Sequence, residues 1–500
     1  MTDIASTTDA KAPEPDNTED AKLEQFGYTQ KLDRSVGRLA SFAIGFATIS
    51  ATTAVFTGFG AGYFTAGAPF VWTLLLAAAV FLIWVVIAAD LTAKIPLAGY
   101  AYQWTSRIHG SNLAWFTGVM ALVGWICGMT GVGFILSGYL GGLFGFAMTQ
   151  TAQILVAIGV MAVCMLVNLY GVRFATMVNN IGVSLEFVIT VGATILVAIV
   201  AFSSPDNHQP ISVLFTGGTS EGSTPYVLAW LAASLGPFFG LIGVEASADV
   251  AEETMNARHV IPRTMFYALV ASIVIEFGMY VVYVLAIKDA AAVEANVAAP
   301  IEEIITQQVG PVITKIVVAV ALTNVMACIL ANILVATRLT YSMARDNMLP
   351  FSHVWRHVSP SNRTPTYAVL GLFGFSTLLL LLALVSEKAF FLILGLSALA
   401  VFATYVLQTI ALIIGHRRGS IPAAEPGTFH LGRARMPIYV IGLIAFSLVC
   451  AALLFLPQFA GNKWVFLGLV GLSGLWAVTG LRKRLATGEA GPDYAKTHLS

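Results

Sequence analysis

The chain is 500 residues long, 57% hydrophobic and only 10% charged, with a mean hydropathy of +0.82. That balance excludes a soluble globular protein, and a formal net charge of +0 leaves no basic footprint for nucleic acid. What remains is a chain built for the bilayer.

Residues 1–34 are polar, hold proline and both charge signs, and lack the basic-apolar-small order of a cleavable signal. They read as a mostly disordered cytoplasmic tail. A helix needs about 20 apolar residues to cross the hydrocarbon core. Runs of that kind begin near Val36, Pro69, Ser111, Thr149, Phe174, Pro225, Thr264, Pro311, Thr366, Ala389, Pro437 and Lys463. The expected fold is therefore an all-α polytopic membrane protein with twelve transmembrane helices. Its units are 35–202, 225–415 and 436–482, followed by a cytoplasmic tail over 483–500.

Threading twelve crossings from a cytoplasmic N-terminus places all but four of the 26 Lys and Arg inside; Lys288, Lys315, Lys388 and Lys463 fall outside. Such a bias is the positive-inside pattern, and it places both termini in the cytoplasm.

Charge inside the apolar runs is rare. The second run ends on Asp90 and Lys94, spaced i, i+4 in the order that favours a local pair. In the fifth, Glu186 shares a helix face with Asn179 and Gly182. Burial raises the pKa of such a carboxyl toward the range in which it can load and release a proton. The sixth run carries Gly236-Pro237-Phe238-Phe239-Gly240-Leu241-Ile242-Gly243-Val244-Glu245, helix breakers and an acid at bilayer depth. Broken backbone there is tolerated only where it lines a cavity or packs on protein, which marks a substrate or ion site. Glu245 is placed to pair with a substrate ammonium or to hold the unwound turn. Asp249, one turn on, reads as a structural or gating acid.

Glu252 and Glu253 sit beside Arg258, His259 and Arg263 and read as a charge cluster that staples the following loop. Glu276 in the seventh run is expected to hydrogen-bond a neighbouring helix. In the eighth run, Asn324, Asn332 and Thr337 supply polar groups or interhelical glue. Phe238, Phe239, Trp125 and Tyr405 are candidates for an aromatic gate over a cation.

Cys127, Cys164, Cys328 and Cys450 lie in apolar runs without paired spacing and read as small buried hydrophobes. The eight histidines fall in loops and tails, so no metal site is expected. Gly58-Phe59-Gly60-Ala61-Gly62 lies in a membrane run without the strand or acidic partner of a nucleotide site, and reads as helix packing. With no nucleophile-base set, no Gly-Lys-Ser/Thr loop and no cofactor motif, an enzyme and an ATP-driven pump are both excluded. Energy would come from an ion or substrate gradient.

Ala89-Asp90-Leu91 with Pro96-Leu97-Ala98-Gly99-Tyr100-Ala101-Tyr102, and Asn168-Leu169-Tyr170-Gly171-Val172-Arg173, resemble motifs of the amino acid-polyamine-organocation (APC) superfamily. So do Gly243-Val244-Glu245, Glu252-Glu253-Thr254-Met255-Asn256, Ile261-Pro262-Arg263 and Ala344-Arg345-Asp346-Asn347-Met348-Leu349-Pro350. The resemblance spans roughly residues 26–420, and includes the superfamily's amino acid/choline transporter-like branch. It implies two inverted five-helix repeats with helices 1 and 6 broken, plus two appended helices. The helix 1 break falls at Ile49-Ser50-Ala51-Thr52-Thr53. Many members carry Gly-x-Gly there, whose amides cradle a substrate carboxylate; Ser50-Ala51-Thr52 departs from it, so amines stay in play.

The residue reading and the resemblance together assign substrate binding to Ile49, Ser50, Ala51, Thr52, Thr53, Phe238, Phe239, Gly240, Gly243 and Glu245. Ion coupling falls to Glu186 and Asn332, gating to Asp249, Trp125 and Tyr405. The expected activity is proton-coupled import of an amino acid or small amine across the cytoplasmic membrane by alternating access. Alternatives are an ethanolamine-, choline- or polyamine-type permease, an exchanger, and a transporter-shaped nutrient sensor. A channel would need a symmetric filter or charge ring, which is not evident.

Overall fold

A computed structural model describes residues 23–145, 149–220, 225–297, 299–385, 389–456, 459 and 461–492. Among them regular structure is helical, with only two isolated bridges, Val36 to Thr254 and Gly67 to Gly218. The elements used below are α1 (Arg38–Ile49), α2 (Ala51–Ala66), α3 (Thr73–Lys94), α4 (Tyr100–Ile108), α5 (Ser111–Phe144), α6 (Gln150–Leu169), α7 (Val172–Leu185) and α8 (Val191–Ala201). They continue as α9 (Tyr226–Ala233), α10 (Leu235–Gly240), α11 (Ala246–Asp249), α12 (Ala257–Leu285), α13 (Pro300–Val309), α14 (Pro311–Arg345), α15 (Thr366–Leu382), α16 (Ala389–Arg418), α17 (Arg435–Phe455) and α18 (Asn462–Trp476).

Ten helical segments among the described residues are long and apolar enough to span a bilayer. Two shorter apolar ones, Tyr226–Gly240 and Thr366–Leu382, begin where the sixth and ninth runs were expected. In lipid every backbone polar group must be satisfied within the chain, so these runs have no alternative to helix. The seventh starts earlier than expected, at Ala257 rather than Thr264, because Arg258 and Arg263 sit inside the helix instead of in a loop.

Burial sorts the helices into an inner and an outer set. The apolar windows of α5 and α14 are each 72% buried, whereas those of the last two spans are 22% and 11% buried. The outer helices expose Leu448 and Leu472, the surface lipid requires. Inside, α2 crosses α10 backbone to backbone: a Cβ built on Gly58 would lie 3.0 Å from the Gly236 Cα. The glycine run is thus a crossing point, as its position in a membrane segment predicts.

The expected disordered tail ends earlier than residue 34. Leu23, Tyr28 and Leu32 are buried, and Val36 accepts from Met255 N and donates to Glu253 O. The Tyr28 hydroxyl donates to Asp346 at 2.9 Å. The chain after α18 docks nearby: Gly491 N donates to Asp346 O at 2.8 Å. Residues 1–22 and 493–500 of the two expected tails lie outside the described residues.

The loop cluster expected around Glu252 and Glu253 is also revised. Both acids turn inward and pair with α14: Arg338 grips Glu253 through two bonds of 2.9 and 2.7 Å, and Arg345 grips Glu252 through two of 3.0 Å. Arg258 pairs instead with Glu425, at 2.8 Å. The turn Ala251–Glu253 directs the carboxylates inward, where the guanidinium forks of α14 meet them bidentately. Asp90 and Lys94 form the i, i+4 pair, fully buried. Cys127, Cys164 and Cys328 are buried free thiols and Cys450 is partly buried.

Candidate functional site

The first membrane helix is interrupted at Ser50, the hinge between α1 and α2, which adopts φ 39° and ψ 96°. That conformation is unusual for a residue with a side chain. Local hydrogen bonds hold it: Ser50 N donates to Phe46 O, and Thr53 N donates to Ser50 Oγ at 3.2 Å. The serine closes α1 and caps α2 together.

Between α7 and α8 the helix takes one π turn over Glu186–Thr190. Such a bulge re-aims side chains. Here it brings Glu186 and Thr190 to the hinge. Glu186 Oε1 accepts from Thr52 N at 2.9 Å and from Ser50 Oγ at 3.2 Å. Thr190 Oγ1 accepts from Thr52 Oγ1 and from Asn324 Nδ2, each at 3.2 Å. A carboxylate from a distant helix therefore sits on the positive end of α2.

The sixth membrane helix breaks after Gly240. Residues 241–245 form turns, and α11 restarts the helix. Gly243 has φ +107°, and a Cβ there would lie 2.5 Å from Thr48 Cγ2. Only glycine satisfies both constraints.

Between the two breaks lies a small, partly open cavity. Of the residues expected at the site, Ile49, Thr53, Phe239, Gly240, Asn332 and Trp125 line it. Sequence reasoning missed Thr48, Gly124, Gly128, Cys328 and Ser397, which also line it. Gly124 and Gly128 carried a signal, since small residues one turn apart mark a face that something approaches closely. Ser397 Oγ donates to Gly124 O at 2.8 Å, joining α16 to α5 along that face. No lining residue is charged.

The remaining expected residues lie around the cavity. Ser50, Ala51 and Thr52 are buried in the hinge, two of them bonded to Glu186. Phe238 packs against Phe402 at 5.5 Å between ring centres. Gly243 backs onto Trp125 and Thr48. Glu245 is fully buried and turned from the cavity into an aromatic cage: Trp84 Nε1 donates to Oε2 at 3.1 Å, and the Tyr405 hydroxyl donates to both oxygens, at 2.9 and 3.0 Å. Tyr405 stacks on Trp84 at 4.0 Å. Asp249, also fully buried, has the Gly99 and Tyr100 amides beside its carboxylate at the start of α4. Asn332 Nδ2 donates to Cys328 O at 2.8 Å. No cluster of metal-ligating side chains occurs among the described residues.

Two interrupted membrane helices flanking a central cavity are the arrangement in which membrane transport proteins hold their substrates. The profile of the family described as "Amino acid permease" matches residues 36–475. The chain belongs to that family, within the APC superfamily. Relatives include a Candida albicans protein whose name proposes it as a polyamine transporter, 24% identical over 93% of this chain and 88% of its own. Amino-acid permease 2 of Neurospora crassa is 23% identical over 90% of this chain and 84% of its own. The thiamine transporter thi9 of Schizosaccharomyces pombe is 24% identical over 86% and 79%.

Proposed function

We propose that this chain is a secondary active transporter that imports an amino acid or small amine by alternating access. It has twelve crossings in the cytoplasmic membrane, both termini inside, and two inverted five-helix repeats carrying α1–α2 and α9–α11 at corresponding places. The observation that carries the reading is the cavity lying where those two interruptions meet, since discontinuous helices of this kind hold substrate near the midplane. The relatives' names, which span amino acids, a polyamine and thiamine, support a nitrogenous substrate.

Proton coupling is assigned to Glu186. As a carboxylate it accepts from the Thr52 amide and the Ser50 hydroxyl and holds the hinge. Protonated, it keeps less acceptor strength for the positive helix end, and the hinge loosens. A proton taken up from one side and released to the other thereby biases the hinge between two states.

The test is uptake of radiolabelled amino acids and amines into proteoliposomes, with and without an inward proton gradient. Gradient-driven accumulation is expected in the native protein. Glu186→Gln is expected to abolish that accumulation while leaving exchange against preloaded substrate measurable. Accumulation unchanged in the variant removes Glu186 from the coupling; exchange alone in the native protein makes it an antiporter.

A further inference from the structure

Among the buried carboxyl groups around the cavity, two adjoin lining elements without lining it, and neither meets a basic side chain among the described residues. The first is Glu186, already on the α2 hinge. The second is Glu276 on α12, fully buried. The Tyr280 hydroxyl approaches it, yet neither Glu276 oxygen receives a well-formed hydrogen bond. A Cβ built on Gly240 would lie 3.0 Å from Glu276 Oε1 and 2.5 Å from the Ala54 Cβ. Gly240 and Ala54 both line the cavity, so the glycine at 240 lets the Glu276 carboxyl sit directly behind the cavity wall.

A substrate carboxylate needs donors, and two of the hinge amides that would offer them are already engaged. Thr52 N is held by Glu186, and Thr53 N by Ser50 Oγ. No lining side chain is cationic. An anionic group would lie between two buried carboxyl groups and leave both without a counter-charge, which favours their neutral forms, whereas an ammonium supplies one. A cation also meets a favourable field. The negative end of α1 points at the cavity through Thr48 and Ile49, and Glu276 stands behind Gly240.

We infer that the cavity selects organic cations bearing an ammonium and no carboxylate, with Glu276 as the counter-charge at the Gly240 window and Glu186 as the group that displaces a substrate carboxylate. This rests on the permease reading above and narrows it to amines.

Pairs differing only in a carboxylate test it directly: lysine and cadaverine, ornithine and putrescine, serine and ethanolamine. Exchange against preloaded compound is measured in proteoliposomes at one pH, so that coupling does not enter. The decarboxylated member of at least one pair is expected to exchange about tenfold faster than its parent, or more. Glu276→Gln, an isosteric change checked for monodispersity, is expected to lose most of that amine exchange. Glu186→Ala frees the Thr52 amide, so the parent-to-amine ratio is expected to rise; a ratio is insensitive to how much protein folds. Parent amino acids exchanging as well as their amines overturns the inference and leaves the permease reading standing. Amine exchange untouched by Glu276→Gln also overturns it. Silence for every pair removes the permease reading and the inference with it.

Discussion

Arg338 is 1% exposed and Glu253 not at all, so their bidentate pair works in a medium that screens it poorly. Removing one partner strands the other's charge. Arg338→Met is expected to destabilise the folded protein by about 3–5 kcal/mol. Arg338→Met combined with Glu253→Leu should recover most of that loss, because an apolar pair carries no desolvation cost. Mixed-micelle unfolding of the two variants checks it; equal losses in both would mean the pair acts through packing alone. Glu253 shows how far a single residue is legible in sequence. Its neighbours in the chain suggested Arg258 and Arg263, whereas the partner that holds it is 85 residues away on α14. Glu245 is similar. Its place beside a helix breaker pointed to substrate contact, but its donors Trp84 and Tyr405 lie 161 and 160 residues away, and together they turn it from the cavity. Ile49, Thr53, Phe239 and Gly240 were legible because they adjoin breaks. Ser397 was not, since only the juxtaposition of α5 and α16 makes it a lining residue.

At the scale of elements, the crossing of α2 over α10 is set by two glycines, and no side chain can yield there. A Cβ on Gly236 would lie 2.7 Å from Gly58 O and 3.0 Å from its Cα, both backbone. Gly236→Ala must therefore push the helices apart, an overpacking cost of about 1–3 kcal/mol. Gly278→Ala on α12 is the control. Nothing lies within 4 Å of a Cβ there. It should be neutral or gain about 0.4–1 kcal/mol through the unfolded state. Thermal unfolding in detergent decides, and a Gly236→Ala protein as stable as the control rules out the tight crossing. The apolar runs that became helices were readable because the bilayer leaves no other backbone solution. The interruption of the sixth was readable from Gly, Pro and Glu at bilayer depth. The first, which carries no Gly or Pro breaker, falls at Ser50 inside the expected window Ile49–Thr53; what no local pattern reports is that Glu186, on a distant helix, holds it.

Across the whole molecule, both terminal segments converge on the end of α14, and Asp346 is where they meet. Its carboxylate accepts from the Tyr28 and Tyr102 hydroxyls, and its carbonyl accepts from Gly491. The Arg345 guanidinium lies over the Tyr28 ring at 3.6 Å. Burial, and then the Asp346 carboxylate, push the Tyr28 pKa upward, so the hydroxyl remains a donor. Val36 continues the strap by pairing with the segment after α11. Residues 23–36 thus tie the turn after the second interruption to α4 and α14, and so resist separation of the helices beneath the cavity. The polar composition of this segment hid that role, because three apolar anchors, Leu23, Tyr28 and Leu32, suffice to dock it. Tyr28→Ala removes a desolvated cation-π contact of about 2 kcal/mol and a hydroxyl-carboxylate bond of about 1.5–3 kcal/mol. Opening at that end should rise about tenfold or more. Cys328 reports it, since it lines the cavity and is 3% exposed. With Cys127, Cys164 and Cys450 replaced by Ser, N-ethylmaleimide added from the side of the terminal segments should label Cys328 about tenfold faster in Tyr28→Ala. Tyr28→Phe, which keeps the ring under Arg345 and loses only the hydroxyl, should fall between. Equal rates in all three proteins would mean that the strap rests on the closed bundle without holding it shut.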